Sequence, residues 1–356
     1  MPPCSLRRVF PMSIGFAEVR IVKGSALRRT ELDTVILDEA RAQRRDRVSR
    51  PVACPQMTLN APVVLEGVGL HTGRMIRMDL HPAGAGFGIV FRRTDLGDAP
   101  ADVTDITARH DHVGDTMLST VIRNEAGTSV GTVEHLMAAF AGLGIDNVFV
   151  EINGPEVPVM DGSSQVFVET IDAIGLKPLH ASRRAIRILK PVIVQDGLKR
   201  AALLPGEGFK LAFEIEFDNA VIGRQSIEAD FMSPTFRDEI LTARTFGLLK
   251  DVEAMWAAGL GLGGSLENTV VVDGDHVVNE DGLRFNDEFV RHKVLDAVGD
   301  LALAGAPLIG RYEGTRAGHA MNNRVLRALF ADRSAWELVD MGASEEVMRP
   351  VAVPAE

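Results

Sequence analysis

From Met57 onward apolar residues recur with two periods. MTLNAPVVLEG, RMIRMDLHP, FGIVFRR and TMLSTVIRN alternate or run apolar between Gly, Asp and Pro, which predicts strands. Thr132 to Leu143 changes to a helical rhythm, with Met137, Ala138, Phe140 and Ala141 as apolar contacts and Thr132 as N-cap. Asn147 to Ile152 reads as a strand. Gln165 to Ile174 reads as a helix with Val166, Phe167, Thr170 and Ile174 on one side.

A second set begins near Ala185. AIRILKPVIVQ, KRAALLPG, FKLAFEIEF and AVIGRQSIEAD predict strands. A short helix over Asp251 to Ala258, a strand at VVVDG and a long helix from Asn286 or Asp287 to Gly305 follow. PLIGRYEG predicts a strand and Asn322 to Phe330 a closing helix. Each half therefore runs strands, helix, strand, helix. That order predicts an α+β fold of two domains with similar plans, each a sheet with helices on one face. The expected boundaries are 56–180 and 185–332, with Pro178 to Arg184 as linker. Residues 1–55 read as an N-terminal extension and 333–356 as a C-terminal tail.

The long helix carries the first chemical signal. In FVRHKVLDAVGDLALAG, His292, Asp296 and Asp300 recur every four residues on one face, while Phe289, Val290, Val294, Leu295, Val298 and Leu301 are apolar. Imidazole and carboxylate one turn apart can ligate one divalent metal. A solvated stripe on a surface helix gives the same pattern, and this helix alone does not decide between the two.

Composition narrows the choice. Residues 1–56 carry 11 Lys or Arg against 6 Asp or Glu, and the remainder carries 27 against 43. A body this acidic lacks the basic footprint of a nucleic-acid binder. Both cysteines, Cys4 and Cys54, lie near the N-terminus, so any metal in the body must be held by His and carboxylate. No apolar run of transmembrane length occurs, and Arg20, Lys23, Arg28 and Arg29 break up the N-terminus, so a soluble, cytoplasmic protein is expected.

Other residues could complete a site. His135 could be a third metal ligand, with adjacent Glu134 close enough to take a proton from water; taken alone, a solvated helix start is the better explanation of the pair. His319, in RAGHAMNN, suits a general acid if a carboxylate such as Asp300 keeps it charged, or a helix cap. Thr245, in ARTFG, could donate to an oxyanion or cap a turn. GLGLGGS, Gly259 to Ser265, lacks the leading strand, following helix and distant acid of a dinucleotide fingerprint and is read as a flexible turn. GVGLHTG, Gly67 to Gly73, is a tight turn between strands.

Together GVGLHTG, FRRTDL, DTML, TVEHLMAAFAGLGIDN, PVMDGSS, ARTFG, LGGS, NEDGLRFNDEFVRHKVLDAVGDL and GHAMNN resemble, in order, the blocks of the UDP-3-O-acyl-N-acetylglucosamine deacetylase family over about residues 56 to 332. These are zinc-dependent hydrolases of lipid A biosynthesis. The resemblance implies a β-α-α-β sandwich, helices packed between two sheets, with a small insert in each domain. It implies zinc on His135, His292 and Asp296, Glu134 as general base, and His319 as general acid or oxyanion stabiliser oriented by Asp300. It further implies Thr245 as an oxyanion donor, Lys293 near the diphosphate or sugar hydroxyls, and Phe246 against the sugar or uracil. An apolar insert near 247–275, including Val252, Leu266 and Val271, would pass the acyl chain. Ser119 stands where many family members carry Cys. Iron(II) suits the same donor set. The expected partner is a UDP-linked acylated amino sugar. The alternatives are a zinc deacetylase of another N-acyl sugar and a catalytically idle sugar-nucleotide binder.

Overall fold

The computed structural model describes residues 19–20 and 54–342. Its first half holds ten strands: β1 Val19–Arg20, β2 Pro55–Leu59, β3 Val63–Val68, β4 Met75–Pro82, β5 Ile89–Arg93, β6 Asp105–Thr107, β7 Val113–Asp115, β8 Val121–Arg123, β9 Ser129–Val130 and β10 Val148–Ile152. Helix α1 is Ala101–Thr104, α2 is Glu134–Leu143 and α3 is Gln165–Ile174. The second half holds β11 Leu176–Ser182, β12 Arg184–Ile188, β13 Val192–Asp196, β14 Lys199–Leu204, β15 Phe209–Glu216, β16 Arg224–Asp230, β17 Phe246–Leu248, β18 Val270–Asp273, β19 His276–Val277, β20 Leu308–Thr315 and β21 Trp336–Asp340. Its helices are α4 Pro234–Glu239, α5 Leu249–Ala257, α6 Glu288–Ala302 and α7 His319–Ala331.

Two large sheets result. One runs β1-β3-β4-β10-β5-β6, mostly antiparallel, with β10 parallel to β5. The other contains β13, β14, β20, β12 and β21, with β15 also pairing with β20 and β16 with β15. Alternation sets their inner faces: Ile76, Met78 and Leu80 of β4 and Phe209, Leu211, Phe213 and Ile215 of β15 are buried while their neighbours are less so. Each large side chain so buried contributes roughly 1.5–3 kcal/mol. Helix α3 touches β3, α6 touches β15 and β16, α7 touches β13 and β14, and α2 packs on α3 and α6. The layer order is sheet, helices, helices, sheet, as expected of an α+β sandwich.

Several local expectations differ. MTLNAPVVLEG splits into β2 and β3, which lie in different sheets. Only Val121–Arg123 of TMLSTVIRN is strand. Thr132 does not cap α2: the helix starts at Glu134 after Val133, and Thr132 adopts φ 55° with its hydroxyl directed to Glu156 Oε2 at 3.4 Å. The buried side of α3 is Phe167, Val168, Thr170 and Ile171, rotated from the expected face because α3 packs against both α2 and β3. The expected linker largely forms β11, an antiparallel partner of β2. The expected tail supplies β21, which completes the second sheet beside β12. Helix α7 begins three residues early, so His319 is its first residue. Residues 1–18, 21–53 and 343–356 lie outside the described residues. None of the described helices is long and apolar enough to cross a membrane.

The contact between α2 and α6 positions everything that follows. All but three residues of α6 are buried, including His292, Asp296 and Asp300, so the solvated-stripe reading does not survive. Gly299 is the close-approach point: a Cβ there would sit 1.9 Å from the Glu134 carbonyl oxygen. Without side-chain bulk at that point, the backbone of α6 reaches the start of α2.

Candidate metal centre

Helix α2 contributes Glu134 and His135 from its first turn, and α6 contributes His292, Asp296 and Asp300 from successive turns. His135 Nε2 lies 3.6 Å and His292 Nε2 3.3 Å from Asp296 Oδ1. One donor atom from each of the three side chains falls within 4.8 Å of the others. All three side chains are buried.

The protonation pattern makes this cluster receptive to a cation. Burial, only partly opposed by Asp296, lowers the His292 pKa to about 3, so the ring is neutral. Its Nδ1 donates to the Ala243 carbonyl at 3.0 Å, which leaves the Nε2 lone pair facing Asp296. Burial would raise the Asp296 pKa, but Lys293 and His135 hold it well below the usual carboxylate range. A lone pair and a carboxylate oxygen 3.3 Å apart repel unless a cation lies between them. His135 Nδ1 is buried with no hydrogen-bond partner. Two imidazoles and one carboxylate are the donor set of a three-ligand zinc site with a position left open. The residues fit the metal.

Beside the cluster sits an acid–base pair. His319 Nδ1 lies 2.9 Å from Asp300 Oδ2, and its Nε2 lies 3.8 Å from Glu134 Oε1. Burial would lower the His319 pKa, but Asp300 and Glu134 raise it to about 9. Burial raises that of Glu134, opposed by His319 and His135. Lys293 Nζ donates to Asp296 Oδ2 at 2.5 Å and lies 5.7 Å from the Phe246 ring centre. The Phe246 and His292 rings meet edge-on at 6.2 Å.

Thr245 lies two residues from Ala243, and its backbone N–H donates to the Gly162 carbonyl at 2.7 Å. Among the described residues no hydrogen bond joins its hydroxyl to Glu134 or His319. Val252 and Val271 are buried around the small β17-β18-β19 sheet, and Leu266 is half-buried. A separate cavity of about 230 Å³ is lined by His71, Thr72, Met117, Leu118, Ser119 and Leu260, among others, and by none of these three residues. The two glycine-rich motifs meet beside it. Gly263 N donates to Leu70 O at 3.0 Å, and a Cβ on Gly263 would fall 2.2 Å from Gly69 O. GLGLGGS is thus a backbone-to-backbone contact.

Three site residues were absent from the sequence reading. Thr120 N donates to Glu134 Oε2 at 3.0 Å, and its hydroxyl donates to Asp300 Oδ1 at 2.5 Å, so it bridges the two carboxylates. Asn322 Nδ2 donates to Asp300 Oδ2 at 2.8 Å, and Tyr312 OH donates to Asn322 Oδ1 at 2.5 Å. The motifs DTML and GHAMNN pointed to these neighbourhoods, but nothing in their spacing identified Thr120 or Asn322.

The model of the UDP-3-O-acyl N-acetylglycosamine deacetylase family matches residues 56–331. A UDP-3-O-acyl-N-acetylglucosamine deacetylase of Phenylobacterium zucineum is 51% identical over 283 residues, covering 80% of this chain and 96% of that protein. One from Nitrosococcus oceani is 50% identical over 298 residues, covering 83% and 96%. With an α+β fold and a match that takes in the packed pair α2 and α6, this chain belongs to the UDP-3-O-acyl N-acetylglycosamine deacetylase family.

Proposed function

We propose that this protein removes the N-acetyl group of a UDP-linked, 3-O-acylated N-acetylglucosamine, releasing acetate and the free amine as a step of lipid A biosynthesis, in the cytoplasm. The observation that carries the reading is the convergence of His135, His292 and Asp296 beside the Glu134–His319 pair. His135, His292 and Asp296 would hold zinc. When bound, zinc supplies Lewis acidity toward an amide carbonyl and toward water.

The chain's own groups do the rest. Glu134 takes a proton from the attacking water. His319, held cationic by Asp300, gives a proton to the departing amine. Thr245 donates to the developing oxyanion. Lys293 lies by the Phe246 ring, and we assign the two to the substrate's diphosphate or sugar hydroxyls and to its sugar or uracil ring. Val252, Leu266 and Val271 pack the inside of the 247–275 insert, along which we place an acyl passage. Met117 and Leu118, both exposed, and Leu260 of the insert line the neighbouring cavity and supply its apolar surface.

The test uses purified protein stripped with a chelator and restored with one equivalent of zinc or iron(II). Acetate release should return with metal and be much faster on the 3-O-acylated substrate than on UDP-N-acetylglucosamine. Stoichiometric metal without acetate release would refute the reading. Equal rates on both substrates would replace it with deacetylation of another N-acyl sugar.

A further inference from the structure

We infer that Arg244 and Arg284 are positioning residues that set the spacing of the two imidazole ligands by clamping the 241–245 loop between them; the inference rests on the metal reading above. His292 receives its orientation from the Ala243 carbonyl. The next residue, Arg244, is fastened to the same helix one turn earlier, at Glu288. Arg244 N and Nε donate to Glu288 Oε1 at 3.0 and 2.9 Å, and Nη2 donates to Oε2 at 3.1 Å. Both side chains are buried. The loop is thus attached to α6 at two points four residues apart, 288 and 292, and its carbonyl cannot turn away from His292 while both hold.

Arg284 extends the clamp to the other ligand. Its backbone N–H completes Glu288 Oε2 at 2.6 Å, and its Nη1 donates to Thr242 O at 2.7 Å and Asp161 Oδ2 at 2.9 Å. Asp161 opens the turn that backs His135: Ser164 Oγ donates to the His135 carbonyl at 2.7 Å. The same turn grips the loop directly, through Ser164 N to Leu241 O at 2.9 Å and Thr245 N to Gly162 O at 2.7 Å. One loop therefore spans from the turn behind His135 to the helix carrying His292. A buried Arg–carboxylate pair brings little net stability relative to apolar packing, so its use here fits a geometric role.

The test compares the full chain with Arg244→Lys, which keeps the charge but loses the fork, and with Arg284→Met, whose side chain is partly exposed and tolerant of change. Zinc affinity is read by competition with a chromophoric chelator, and ligand geometry by the visible spectrum of the cobalt(II)-loaded protein. Metal-free thermal melts confirm folding. Arg244→Lys should weaken zinc about 10–100-fold and alter the cobalt spectrum, and Arg284→Met should act in the same direction more weakly. Arg200→Met, which breaks the Arg200–Glu313 pair on the second sheet, should leave both readouts unchanged. A folded Arg244→Lys protein with parental affinity and spectrum overturns the inference. Should Arg244→Lys fail to fold, parental values for Arg284→Met overturn it alone. Failure of the parent to bind zinc would instead remove the metal reading itself.

Discussion

Gly299→Ala sets two ordinary effects against each other. In an exposed helix interior the substitution stabilises by about 1 kcal/mol, through lower backbone entropy in the unfolded chain. Here the new Cβ would meet the Glu134 carbonyl oxygen at 1.9 Å and the carbonyl carbon at 2.7 Å, where contacts closer than 3.0 Å are not sustained. The obstacle is backbone, so α2 and α6 must separate by about 1.1 Å at that point. Overpacking of this kind costs about 1–3 kcal/mol, enough to cancel or reverse the helical gain. The catalytic consequence is larger. His135 and Glu134 ride on α2 while His292, Asp296 and Asp300 ride on α6, and a 1 Å misplacement of reacting groups costs about 100-fold, or about 2.7 kcal/mol on the barrier. We expect kcat/KM for acetate release to fall about 100-fold with a modest loss of Tm. Gly84→Ala is the control, because its Cβ would meet nothing within 4 Å. A Gly299→Ala protein that melts above the parent and retains its kcat/KM would refute the argument that this contact sets the site.

Glu134→Gln should keep zinc at one equivalent and lower kcat by at least about 100-fold, the scale of general acid–base catalysis; a near-parental kcat removes Glu134 from the mechanism. The pH–rate profile should be a bell. It rises as Glu134 ionises, above the ordinary glutamate range, and falls as His319 loses its proton near pH 9. Asp300→Asn should move the alkaline limb down by about 1–3 pH units, and an unmoved limb would dissociate Asp300 from His319. The same shift has a stability sign: His319 ionisation contributes fully below its unfolded pKa of about 6.5, and the contribution is lost as pH rises through about 9. Thr120→Val keeps the backbone donor to Glu134 but removes the donor to Asp300. It should destabilise by about 1–3 kcal/mol in denaturant titrations and lower kcat, whereas unchanged values of both would make the bridge incidental.

The legible parts of this chain were those whose pattern is local. Helix α6 announced itself through apolar positions and a polar stripe with one period, and β4 and β15 through alternation. Thr120 and Asp300 are 180 residues apart, and neither has a local reason to seek the other. Thr132 looked like a cap because caps are recognised by residue type, but its hydroxyl is directed to Glu156 and its backbone is left-handed. WELVD is short, with Glu337 and Asp340 among its apolar residues, and reads as tail, yet an edge strand needs only one covered face. Strands of two or three residues, such as β9 and β17, are too short for any period to register.

Asp296 and Asp300 are identical residues one turn apart on one helix, and their surroundings suit them to the different roles proposed above. Asp300 is saturated with donors: Thr120 on one oxygen, and His319 and Asn322 on the other. Little of it is left to attract a cation, and in the mechanism proposed above its charge orients His319 and holds it cationic. Asp296 receives Lys293 on Oδ2 alone, while Oδ1 faces two imidazole nitrogens. With His292 donating through Nδ1, a proton between His135 and Asp296 satisfies one of those contacts and leaves the His292 lone pair opposed to a carboxylate. A divalent ion answers all three groups together. It also offsets the charge of Glu134, Asp296 and Asp300 against Lys293 and His319, which buried side chains cannot leave to water. On the proposed reading, the choice between ligand and orienting carboxylate is made by where Thr120 and Asn322 place their donors, not by the helix that carries both acids.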